Sequence, residues 1–181
     1  MTSAKNDLLL LAGKTLTVLV QGIMGLATAV TAITLIGVAL FQGLIDREII
    51  AEFGPQAVAL PVASILWLLG TVLVLCALVF VFFGKLRGII DTVAAGDPFV
   101  PENADRLNAM AWLQIGIYVA SLLSTGAAAM VAKWAEQFAE VSVKASLDLD
   151  VPSLLLVVIL FILARVFRKG AEMREELEGT V

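Results

Sequence analysis

Three carboxylates, Asp97, Glu102 and Asp105, stand close together among two prolines, between Arg87 and Arg106. Carboxylates at such spacing could hold a divalent cation or work as an acid/base pair. Acids beside prolines at a helix start have a simpler use: they cap the helix and pair with a nearby arginine, here Arg87 or Arg106. That simpler reading is adopted. A second acidic pair, Asp148 and Asp150, lacks the Gly-containing ligand loop of a calcium site. Asp150 reads instead as the N-cap of a helix with Pro152 in its first turn. Histidine is absent, which removes the commonest general base and metal ligand. The one cysteine, Cys76, lies in an apolar block, so it forms no disulfide within the chain and reads as an inert buried thiol. No catalytic residue, metal ligand or cofactor site is expected, and the chain reads as non-enzymatic.

What positions these residues is a membrane. Of 181 residues, 60% are hydrophobic and 15% charged, against about 45–50% and 25% in soluble domains. The excess forms four blocks, roughly 16–40, 59–83, 109–132 and 151–167, each near the ~20 residues that cross hydrocarbon as a helix. An Ala27-Thr28-Ala29 site resembles a signal-peptidase site, but the apolar run continues to Leu40, so the first block reads as a retained membrane helix. Nine of the twelve Lys and Arg fall in residues 1–14, 84–108 and 165–181, and three in the two other loops. That bias places both termini on the cytoplasmic side, together with the elbow at 84–108 and the acidic tail at 168–181. The fold class is therefore all-α: a single membrane domain, an integral four-helix bundle with short interfacial helices in its outer loops. A net charge of −4 argues against direct nucleic-acid binding through a basic surface.

Small and hydroxyl residues mark two of the spans. Gly25 and Ala29 form a small-xxx-small pair that would let another helix approach closely. Gln21 and Thr28 share a face, and Gln114, Tyr118, Ser121 and Thr125 form a polar stripe that could meet them. A transport pathway would want a charge or a broken helix at this depth, and neither is present, so helix packing is the preferred reading. Asp46 to Phe53 is expected as a short surface helix stopped by Gly54-Pro55. Trp134, Phe138 and Val141 would form another, lying in the headgroup plane opposite Glu136, Gln137, Glu140 and Lys144.

The elbow reads as helix, tight prolyl turn, helix. Leu86, Ile89, Ile90 and Val93 recur at helical spacing, and Gly96 is placed to end that helix. Asp97-Pro98 forces an extended or turn conformation, and Pro101 suits the first position of the next helix. In the tail, Val166, Gly170, Met173 and Leu177 form an apolar stripe expected to pack on the Leu86–Val93 helix.

Gly96-Asp97-Pro98-Phe99, Pro101-Glu102-Asn103-Ala104 and Arg106-Leu107 together resemble the GDPF-x-PENA-x-RL hallmark of a bacterial family of four-span inner-membrane proteins, a domain of unknown function. Val166-Phe167-Arg168-Lys169-Gly170, Glu175 and Thr180-Val181 are similar to the family's closing pattern. Members are often encoded beside a small helix-turn-helix transcription regulator. The resemblance thus implies a bacterial inner-membrane location and a membrane-bound regulatory role with a cytoplasmic DNA-binding partner. Partner-binding candidates are Asp97, Phe99, Glu102, Asn103 and Arg106 in the elbow, and Glu172, Glu175 and Glu176 in the tail. Phe99 could anchor that partner, or tuck against the second and third spans and fix the turn. The alternatives are an accessory subunit of a larger membrane complex and a small transporter.

Overall fold

The computed structural model describes residues 3–54, 60–136 and 151–178, with side chains from Leu8 to Leu177 within these ranges. Within them the chain forms four helices: α1 (Ser3–Phe53), α2 (Val62–Ala94), α3 (Pro101–Ala135) and α4 (Val151–Glu178). All four are long and apolar enough to cross a membrane, and the protein is a multi-pass membrane protein. At 1.5 Å per residue, the 28 residues of α4 measure about 42 Å and the 51 of α1 about 77 Å. Each therefore exceeds a hydrocarbon core of about 30 Å.

The helix ends follow local chemistry. α1 runs unbroken to Phe53, so Asp46–Phe53 is the end of a long helix and not the separate surface helix expected. Nothing between Leu40 and Asp46 interrupts it except Gly43, which costs only about 1 kcal/mol in a helix. Gly54 stops it with φ of 88°, its N–H donating to Ile50 O at 3.0 Å. Pro61 directly precedes α2, and its carbonyl accepts from Ile65 N at 3.0 Å. Trp134 belongs to the last turn of α3. The remainder of the expected headgroup-plane helix, including Phe138 and Val141, lies outside the described residues, as do Asp148 and Asp150.

The chain falls into two compact units. The first comprises Met1–Gly25, Ala77–Tyr118 and Asp150–Val181. Its core is Leu107, Met110 and Ala111 of α3 with Leu160 and Ala164 of α4, against which Phe82, Leu86 and Ile89 of α2 pack. α1 joins through Gly13, where an added Cβ would stand 3.3 Å from Ile90 Cδ1, and through Lys14, whose ammonium is 2.8 Å from Asp91 Oδ1. Gln21 donates to Phe80 O at 3.4 Å and lies over Gly84. It therefore glues α1 to α2. The tail packs on a face rotated from the expected stripe: of its members Gly170 turns inward, with Phe167 and Ala171 beside it, while Val166, Met173 and Leu177 are 54%, 50% and 72% exposed. The reason is Phe99, which seats on Gly170 and rotates the helix's buried face toward the elbow.

The second unit comprises Leu26–Cys76 and Val119–Leu149. Trp67 Nε1 donates to Leu123 O at 3.1 Å and Ser64 Oγ to Met130 Sδ at 3.3 Å, tying α2 to α3. Asp46 Oδ1 accepts from Leu60 N at 3.1 Å, tying α1 to the entry of α2. Ser124 and Thr125, the latter from the α3 stripe, both donate to Ser121 O, so these hydroxyls are satisfied within their own helix. Cys76 is buried.

Candidate functional site

The elbow between α2 and α3 is built by two glycine- and proline-directed ends. Gly96 adopts φ of 85°, its N–H donating to Val93 O at 3.1 Å, while Asp97 N–H donates to Thr92 O at 3.0 Å. This paired pattern is a Schellman motif, and it requires the left-handed conformation that glycine adopts without penalty. Pro98 follows, and Pro101 opens α3, with Val100 O accepting from Asn103 N at 3.0 Å. Glu102 stands exposed in the first turn, where the helix dipole favours a carboxylate.

Asn103 ties these two ends together. It is 0% exposed, so each of its polar atoms needs an internal partner. Its amide nitrogen donates to Thr92 Oγ1 at 2.7 Å and to Pro98 O at 2.9 Å, joining the end of α2, the turn and the start of α3. Its amide oxygen accepts from Arg106 Nη1 at 2.7 Å, and the same nitrogen donates to Gly88 O at 3.0 Å. Arg106 lies flat over Gly88: a Cβ there would come within 2.9 Å of Arg106 Nε. Asparagine supplies two donors and an acceptor in one plane, and an arginine crosses back one turn deeper.

Three further contacts fasten the elbow to α4. Arg174 pairs with Asp97, and Arg168 Nη2 reaches Asp105 Oδ1 at 3.0 Å. Between them Phe99 packs on Phe167, ring centroids 5.4 Å apart, and on the bare backbone of Gly170. Phe99 therefore tucks against α4, not the second and third spans, and remains 43% exposed. Asp97 and Asp105 likewise pair with α4, where the sequence suggested Arg87 or Arg106. They stand apart on separate cations, and among the described residues no group of three or more His, Cys, Asp or Glu gathers where a metal ion could bind.

The result is a shallow groove of about 340 Å³ whose walls include Asp97, Phe99, Pro101, Ala171, Arg174 and Glu175. Of the residues singled out from sequence, Asp97, Phe99 and Glu175 meet at this groove. Glu172 sits one turn away, held by Lys169 at 3.2 Å. Asn103 and Arg106 lie inside the elbow and shape it. Sequence reasoning overlooked Thr92, Gly88, Phe167, Gly170, Arg168 and Arg174 as the elements that hold it. Two signals were present: a glycine inside each of two helical patterns, and cations one and two turns apart in the tail.

No curated protein and no solved structure matches the chain. Residues 48–181 take in the elbow, its Asn103 knot and the α4 helix on which it docks, and over that length the chain belongs to the family described as Protein of unknown function (DUF2975).

Proposed function

We propose that this chain is a non-enzymatic protein of a bacterial inner membrane that holds a cytoplasmic helix-turn-helix regulator at the surface where the elbow meets the tail of α4. The observation that carries the reading is the latch: Asp97, Phe99 and Asp105 are each engaged by α4, so elbow and tail present one pre-organised surface. Pre-organisation lowers the ordering cost of binding. Glu102 and Glu175 are exposed on it, and Glu172 and Glu176 lie nearby on the tail. A DNA-binding protein meets phosphates with Lys and Arg, so an acidic surface competes for the same face. Exposed ion pairs contribute only about 0–1 kcal/mol each. The apolar part of specificity falls to the groove beside Phe99, which would receive a side chain of the partner.

The deciding measurement is a pulldown of the regulator by the wild type, by Phe99→Ala and by a chain truncated after Lys169. Wild type should retain the regulator in a salt-sensitive manner and both variants should lose it. Equal retention by all three, or none by the wild type, sinks the tethering mechanism. The cytoplasmic placement rests on the nine-to-three bias in Lys and Arg. In a Cys76→Ala background, Glu102→Cys should resist an impermeant thiol reagent in intact cells and Glu136→Cys should react; both positions are exposed, as labelling requires. The reverse pattern overturns the orientation.

A second reading, an accessory subunit of a larger membrane complex, draws on α1. Gly22, Gly25 and Ala29 are exposed there, and an added Cβ at either glycine would meet no described atom within 4 Å. A stoichiometric membrane partner in mild detergent, with no soluble one, would favour it.

A further inference from the structure

A second groove, of about 660 Å³, opens between α3 and α4 on the first unit, away from the Phe99 groove. Its mouth carries Arg165, Arg168 and Lys169, which at i, i+3 and i+4 share one helix face. Glu172 is the one carboxylate in the lining, and Lys169 holds it at 3.2 Å; Arg168 is shared with Asp105. Arg165 is exposed and has no ion pair or hydrogen bond among the described residues. Asn108 faces these cations from α3. One turn deeper the lining becomes apolar, with Phe161 and Ala164. The Trp112 indole stands edge-on to Phe161, centroids 5.8 Å apart and planes at 83°. An arginine with a tryptophan about one turn deeper is a common pairing near a membrane–water interface.

Length gives the groove a reason. The uncharged run from Val151 to Ala164 covers about 21 Å of helix, against about 30 Å of hydrocarbon. Arg165 thus stands before a full apolar thickness has been crossed, so its long side chain reaches for the headgroup level, where an anionic group can meet it. We propose that this groove is a binding site for one anionic glycerophospholipid, its phosphate held by Arg165 with Lys169 and Asn108, and its acyl chain laid against Phe161 and Trp112. With Lys169 on Glu172 and Arg168 on Asp105, Arg165 is the cation left over at the mouth, and one surplus cation over an apolar floor matches an anionic amphiphile. The inference needs only the membrane reading and not the regulator.

The test uses the full chain in mild detergent, titrated with phosphatidylglycerol, phosphatidylcholine or glycerol 3-phosphate and read by native mass spectrometry. Phosphatidylglycerol should bind most tightly. Arg165→Gln should weaken it about fivefold, as expected for loss of one interfacial cation, Lys169→Gln should act in the same direction, and Arg165→Lys should restore most of the loss. Arg47→Gln, in the other unit, should change nothing. Circular dichroism of each variant separates lost binding from lost folding. Equal binding of phosphatidylcholine overturns the proposal, as does an effect of Arg47→Gln as large as that of Arg165→Gln. Folded Arg165→Gln and Lys169→Gln chains that bind like wild type also overturn it. Glycerol 3-phosphate binding as tightly as phosphatidylglycerol would assign the groove to a free phosphate and remove the lipid.

Discussion

The two units are built from the same apolar helices, yet they are held together by different means. In the first, a fully buried asparagine, an arginine crossing a glycine and two ion pairs to α4 specify where each helix end lies. In the second, the bonds seen among the described residues run from the Trp67 indole and the Ser64 hydroxyl to α3, and from the Asp46 carboxylate to the entry of α2. Apolar burial cannot account for the contrast, because lipid is as good a neighbour for leucine as another leucine is. Large exposed side chains such as Leu40, Leu44, Leu122 and Leu123 in the second unit suit an acyl-chain environment. A polar group buried away from water must find its partner inside, so the Asn103 network selects one arrangement where leucine contacts would accept several. Specific shape is concentrated where the chain turns between α2 and α3.

Breaking that turn should produce the largest effect. Asn103→Ala strips partners from Thr92, Pro98 and Arg106 at once, and a buried polar group left unmatched costs about 1–3 kcal/mol. A loss of about 2–3 kcal/mol is expected in detergent unfolding, with fresh protease sensitivity between Gly96 and Pro101. A loss under 1 kcal/mol would mean that the knot is ornamental and the contrast between units false.

Gly170→Ala should come next. Its Cβ would stand 2.6 Å from Phe99 Cδ1, which forces the ring off its seat. Overpacking of this kind costs about 1–3 kcal/mol, here reduced because Phe99 is half exposed and can swing outward. The sharper readout is the latch: a cysteine pair at Asp97 and Arg174 that crosslinks readily in the wild-type background should crosslink poorly beside Gly170→Ala. Unchanged crosslinking would show that Phe99 does not govern the docking of α4.

The smallest effect is expected in the second unit. Trp67→Phe removes the bond to Leu123 O but keeps an aromatic body. Hydrogen bonds between membrane helices average about 0.6 kcal/mol, so the melting temperature should move little. A loss as large as that from Asn103→Ala would erase the distinction between a specified and a permissive end.

Sequence alone determined the four helices, the two prolyl and glycyl signals of the elbow and the family likeness of its motif. These are local properties: apolar runs of spanning length, a glycine where φ is positive, and a proline where a helix begins. Gly96 and Pro101 stand where their chemistry required. Tertiary structure decided everything that depends on which face meets which. The same local signals could not foretell that Asp97 and Asp105 would choose Arg174 and Arg168 over the nearer Arg87 and Arg106, because ion pairing follows distance in space and not separation in the chain. Nor could they show that the tail would bury Ala171 beside Gly170 and leave Met173 and Leu177 outside. A helix's apolar stripe predicts its buried face only where no neighbouring element offers a better-fitting contact. Here a phenylalanine from the elbow fitted a glycine on the tail, and that fit set the rotation of α4.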